Sequence, residues 1–202
     1  MKSKGFTWAV VGVCSLIGGV TMLSGQASAH GYITQPGSRA YLGSNAFTAA
    51  TGQQPLNKNI GPVQYEPQSI EAKKDTFVDG RIASANIANF HQLDEQSDTR
   101  WYKNQVKKGT MTIKWHLTAQ HSTKSWDYYL TRPGWNPNQP LSMLNFEKIA
   151  TIDDHGALPA KDVTQTINIP DNRIGYNVLL GVWNIEDTSN AFYQAVDLNI
   201  TD

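Results

Sequence analysis

One cysteine, Cys14, is all the chain contains, and it sits in an apolar run near the start. A disulfide within the chain is excluded. Small secreted domains commonly lean on such cross-links, so this chain has to be held by a packed core, and it is long enough to build one. Charge of either sign is also in short supply as an excess: 17 Lys and Arg stand against 17 Asp and Glu. No broad field draws it to nucleic acid or anionic lipid, and neither is expected as a partner. A neutral, insoluble partner is compatible with that balance. No Ser/Thr/Pro-rich linker and no internal period divide the sequence, which reads as one domain. Beyond the first 29 residues no stretch is apolar for long enough to span a membrane.

The first 29 residues have their own character. Lys2 and Lys4 precede a mostly apolar stretch from Phe6 to Leu23, followed by Ala27-Ser28-Ala29. A positive start, an apolar middle and an A-x-A site make a secretory signal peptide. An uncleaved membrane anchor is the competing reading. A lipoprotein signal is disfavoured because Val13, not a small residue, precedes Cys14. Cleavage after Ala29 leaves residues 30–202 as the mature, extracellular protein, with His30 first.

Residues 43–60 are rich in Asn, Gln, Thr, Ala and Gly and read as loop. Residues 61–100 are irregular, with short helical turns expected around Ile82 to Phe90. Long ordered excursions of this kind are usually functional. After Trp101 the pattern turns to β. In "TMTIKWHLTAQHS", Met111, Ile113, Trp115, Leu117 and Ala119 share one parity and Thr112, Lys114, His116, Thr118 and Gln120 the other, the mark of one buried and one exposed face. "WDYYLTR", "QTINI", "YNVLLGVWNI" and "AFYQAVDLNI" follow as strands. The third is apolar on both parities, as a central strand is. Few helices and many strands predict an all-β fold, an antiparallel sandwich of immunoglobulin or fibronectin type III kind, with a long, partly helical loop region between early strands.

His121 continues the buried parity of its strand, whereas His116 lies on the other face. His30, at the mature chain start, would add its own imidazole and a free α-amine. Three nitrogens without thiolate suit Cu(II), and zinc is the competitor. The amine gives up its proton readily near neutral pH, since its reference pKa is about 8. His91, His116 and His155 read as ordinary surface or loop residues. Trp115, Trp126 and Trp183 read first as core.

The stretches "HGYITQPGSRA", "VQYEPQSIE", "TAQHSTKSWDYY" and "DTSNAFYQAVDLNI" resemble the bacterial lytic polysaccharide monooxygenases of auxiliary-activity family ten, formerly called family 33 carbohydrate-binding modules or chitin-binding proteins. The resemblance runs from His30 to the C-terminus. It implies one copper ion held in a histidine brace by His30 and His121. Phe192 would pack at the copper's axial position and Ala119 beside the metal. Tyr65 would stack on sugar rings of a flat substrate face, flanked by Glu66, Glu71, Thr118, Asp187 and Asn190. Glu71 would be the carboxylate nearest the copper, orienting an oxygen species or managing a proton. Trp183 would lie near enough to bear on electron movement. The chain departs from many relatives in lacking disulfides, and Phe47 is the one aromatic in its 43–60 segment.

The activity implied is oxidative cleavage of β-1,4-linked polysaccharide, with chitin favoured over cellulose because "YEPQSIE" resembles the chitin-active members, and with attack at C1. An external reductant and O2 or H2O2 are the other reactants, and a monomer is the expected state. Two other classes compete: an adhesin that binds chitin or N-acetylglucosamine without turnover, and a secreted copper carrier. The carrier has no use for the Tyr65 to Glu71 surface.

Overall fold

The computed structural model describes residues 29–202; the expected signal peptide, apart from Ala29, lies outside the described residues. Strands dominate. β1 (His30–Gln35), β4 (Gly109–Ala119) and β7 (Asp162–Ile169) form a three-stranded antiparallel sheet with β4 in the middle. The second sheet runs in the order β2 (Glu71–Lys73), β9 (Asn190–Thr201), β8 (Gly175–Ile185), β5 (Thr123–Thr131), β6 (Phe146–Ala157). A further short strand, β3 (Asn104–Lys107), pairs parallel with β9.

The period-two pattern of β4 works as its sequence predicts. Met111, Ile113, Trp115 and Leu117 are buried while their neighbours face outward. They meet Trp126, Tyr128, Leu130, Leu179, Trp183, Phe192, Val196 and Leu198 of the larger sheet in one core between the layers. The sheets come close where Gly181 faces Ile33 and Trp115: a Cβ there would stand 2.7 Å from the Ile33 side chain. The β-sandwich class is therefore as expected.

β8 and β9 are buried on both faces for a specific reason. Their outer face, with Val178, Leu180, Val182, Ala191, Tyr193 and Ala195, packs under the excursion between β1 and β4, through Ile60, Val63, Ile70, Ile82, Phe90, Leu93 and Trp101. The excursion is thus a third layer. It is fastened by a buried ion pair: Arg39 Nε lies 2.8 Å from Asp197 Oδ2 and Nη2 2.9 Å from Oδ1, with both side chains about 1% exposed. Beside it Ser38 Oγ donates to Gln194 Oε1 (2.6 Å), and Gln194 Nε2 donates to the Pro67 carbonyl (3.0 Å).

Residues 43–60 are not all loop. α1 (Arg39–Leu42) is followed by α2 (Asn45–Thr51). Ser44 caps α2 by accepting the Phe47 N–H at 3.1 Å, and Gly52 ends it in the left-handed region. With only Phe47 buried, α2 has no apolar stripe for a periodicity reading to find. The helical turns expected at Ile82 to Phe90 lie slightly later, as a 3-10 helix at Ala88–Asp94. β6 escaped the sequence reading because it is an edge strand whose residues are mostly half-exposed.

Candidate functional site

One end of the sandwich gathers the residues singled out above. β1 starts there with His30 opposite Ala119, the last residue of β4. The next pair is Gly31 with Leu117, so the ladder skips Thr118. That bulge opens β1 with a local kink, a device that re-aims side chains at strand ends. The skipped Thr118 turns outward and its hydroxyl reaches the His30 carbonyl at 3.4 Å.

Gly31 is required by this close approach. A Cβ on it would stand 2.6 Å from Leu117 Cδ2 and 3.3 Å from the Trp183 ring. The sequence reading passed over it, though a glycine directly after the proposed ligand was the available signal.

His121 lies two residues beyond β4, half-buried. Its backbone is tied down from both sides. The Thr123 hydroxyl donates to the His121 carbonyl at 3.0 Å and accepts the Trp183 indole N–H at 2.8 Å. Trp115, Trp126 and Trp183 are buried in the core, Trp126 and Trp183 stacked with centroids 5.2 Å apart.

His121 Nδ1 stands 2.9 Å from Asp187 Oδ1, a separation fit for an ion pair. The approach does not meet hydrogen-bond geometry, however, and the nitrogen is buried with no hydrogen-bond partner among the described residues.

Phe192 is fully buried beneath this end, its ring centroid 6.0 Å from His30 and 5.3 Å from Trp183. On the neighbouring strand Glu71 is the register partner of Phe192. Asn190 Nδ2 donates to Glu71 Oε1 at 2.7 Å. The loop 186–189, which carries Asp187 and leads into Asn190 at the start of β9, is held against the chain after β2, where Lys74 Nζ meets the Thr188 carbonyl (2.6 Å) and Lys74 N the Ser189 carbonyl (2.9 Å).

Tyr65 ends a 3-10 helix (Gly61–Tyr65), with Glu66 next; both are exposed, Tyr65 at 70%. The Gly31 N–H donates to the Gln68 carbonyl at 3.4 Å, which brings the loop after Tyr65 against the start of β1. The structure therefore gathers His30, Thr118, Ala119, His121, Asp187, Asn190, Glu71 and Phe192 at one end and leads Tyr65 and Glu66 toward it. His116 contacts Asp162 at 2.7 Å, the exposed His91 meets the Ala88 carbonyl at 2.9 Å, and the exposed His155 lies 3.2 Å from Asp153. A cleft of about 570 Å³ lined by Gln35, Tyr102, Asn104, Val106 and Met111 contains none of these residues.

Residues 30–198 match the family described as "Lytic polysaccharide mono-oxygenase, cellulose-degrading". The chain belongs to the lytic polysaccharide monooxygenase family. It is 51% identical over 197 residues to the lytic chitin monooxygenase of Enterococcus faecalis, covering 98% of each chain. A solved polysaccharide monooxygenase, called CBM33 and studied by X-ray photoreduction, is 56% identical with a TM-score of 0.80, over 85% of this chain and 100% of that one. A Bacillus amyloliquefaciens CBM33, solved in complex with Cu(I), is 42% identical with a TM-score of 0.77, over 85% of this chain and 100% of that one. This chain is accordingly an enzyme, a lytic polysaccharide monooxygenase, and its family is copper-dependent.

The donor set suits such an ion. Two imidazoles, those of His30 and His121, belong to this end, and nitrogen donors without thiolate suit copper. Among the described residues no group of three His, Cys, Asp or Glu side chains could hold a metal. A third ligand would come from the main chain. While Ala29 is attached, the His30 nitrogen is an amide, and cutting that bond converts it to an amine.

Proposed function

We propose that the protein is secreted, loses residues 1–29, and uses a single copper ion to cleave crystalline chitin oxidatively at C1. The observation that carries the reading is the pairing of His30 with Ala119, the last residue of β4, which sets His30 beside the segment of His121. The α-amine and ring of His30 and the ring of His121 would hold the metal. Bound copper supplies one-electron redox chemistry, driven by an external reductant with O2 or H2O2 as co-substrate.

The remaining residues do the work of binding and placement. Phe192 fills the space beneath His30 with an apolar ring and keeps water from that side. Ala119 leaves room where a larger side chain would crowd the imidazoles. Glu71, oriented by the Asn190 amide, offers a carboxylate oxygen that takes or returns a proton. Tyr65 presents a flat apolar face to a pyranose ring. Glu66, Thr118, Asp187 and Asn190 surround the centre with donors and acceptors for hydroxyl and acetamido groups.

Chitin is favoured over cellulose on two grounds: the "YEPQSIE" stretch, and the 51% identity to a chitin monooxygenase over nearly the whole chain. The test is direct. Copper-loaded protein with its N-terminus verified as His30 is incubated with β-chitin or cellulose and ascorbate, and products are read by mass spectrometry. Aldonic-acid chitooligosaccharides that vanish with chelator or without reductant are expected. Binding to chitin without oxidised products, in protein shown to hold copper, would replace this reading with that of a binding protein.

A further inference from the structure

The turn between β6 and β7, residues 158–161, has no part in the site as assembled so far, yet it stands at the same end. Ala157, the last residue of β6, pairs with Thr123, two residues beyond His121. Three hydrogen bonds fasten the turn and the end of β6 to the chain around His121. The Leu117 N–H donates to the Lys161 carbonyl at 2.7 Å, Gln120 Nε2 to the Pro159 carbonyl at 2.7 Å, and Ser122 Oγ to the Gly156 carbonyl at 2.6 Å. His155 and Gly156 lead into it in the left-handed region. The turn is thus a fixed ridge alongside His121.

At the head of that ridge Leu158 is 68% exposed. Scattered surface leucines need no explanation, but the placement of this one is unusual. Strand order puts β2, next to the Tyr65 loop, at one lateral edge of the larger sheet and β6 at the other. That separation is four inter-strand steps, about 19 Å at ordinary strand spacing. Tyr65 and Leu158 are therefore large exposed apolar side chains toward opposite lateral edges of the larger sheet, Tyr65 before the loop tied to the start of β1 and Leu158 in the turn tied to the His121 segment.

We infer that Leu158 is a second apolar contact for the polysaccharide, seating a sugar ring by its C–H face on the side of the metal centre away from Tyr65. The inference rests on the proposed function and extends it: the chain crosses the centre and is gripped at both ends. A bound polymer touching Tyr65 alone could pivot. Two contacts across about 19 Å fix its direction over the centre.

The test is a binding isotherm on β-chitin with the mature protein and its Leu158→Ala and Tyr65→Ala variants, with thermal unfolding as a check on the fold. Leu158→Ala should unfold at the parent temperature, because its side chain is exposed. It should bind about five- to tenfold more weakly, as expected for partial loss of a leucine's apolar burial. Parent-like binding by Leu158→Ala, with weakened binding by Tyr65→Ala, would overturn the two-edge grip and leave the proposed function standing. A parent protein that neither binds nor oxidises chitin would overturn both.

Discussion

Glu71 and Phe192 are register partners on the antiparallel strands β2 and β9. Directly opposed residues project to the same face of a sheet, so the carboxylate shares a side with the ring that lies under His30. The Asn190 amide fixes its orientation at 2.7 Å. Glu71→Gln keeps the shape and removes the proton acceptor. It should retain copper affinity and lose about 100-fold or more in oxidised product, measured as initial rate on chitin with a fixed supply of reductant. An unchanged rate would remove Glu71 from the chemistry.

His121→Ala should abolish tight copper binding and product formation while the sandwich still folds, because His121 lies beyond the end of β4 and outside the packed core. Isothermal titration with Cu(II) and a thermal melt read the two effects separately. A variant with parent affinity would sink the assignment of this ligand.

The same titration checks the chain start. Protein carrying one extra residue before His30 has an amide where the proposal needs an amine, and its copper affinity should collapse. Gly31→Ala tests the geometry next door. Its Cβ would press on Leu117 and Trp183 and push β1 outward at its first residue. Affinity should fall about tenfold or more, the usual cost of disturbing a ligand's support.

Arg39→Met leaves Asp197 buried and without its strongest partner, with the Tyr176 hydroxyl at 2.7 Å as a remaining donor. Breaking one side of a buried pair costs about 3–5 kcal/mol. Chemical denaturation should show that loss. Replacement of both residues by apolar ones of similar volume should recover much of it.

Burial holds the phenols of Tyr128 and Tyr193 well above their ordinary value, and burial together with Asp197 does the same for Tyr176. The folded chain therefore keeps these protons more tightly than the unfolded chain. Their contribution to stability is whole below pH about 10 and declines above it as the unfolded chain ionises. Spectroscopic titration should find a group of tyrosines that ionise only on unfolding. Free titration of all 8 near the ordinary value would contradict the packing.

The sequence carried much of this architecture because its signals were periodic. β4 alternates cleanly, and β8 is apolar on both parities since each of its faces has a layer against it. The long motifs around His30, Tyr65, His121 and Phe192 named residues that the fold brings toward one end. What escaped was decided by contacts distant in sequence. The bulge at Thr118 exists only in the pairing of β1 with β4. The exposure of Leu158 beside His121 depends on how β6 and β7 meet the two sheets. α2 rests on its caps and a single buried ring.

The core and the Arg39–Asp197 clasp hold residues 30–202 without a sulfur–sulfur bond. For the proposed chemistry this has a practical result. The proposed reaction consumes electrons from an external reductant, and thiol reductants open strained or exposed cross-links by exchange. This chain has none for them to open. Its fold is therefore independent of the redox state of whatever supplies those electrons.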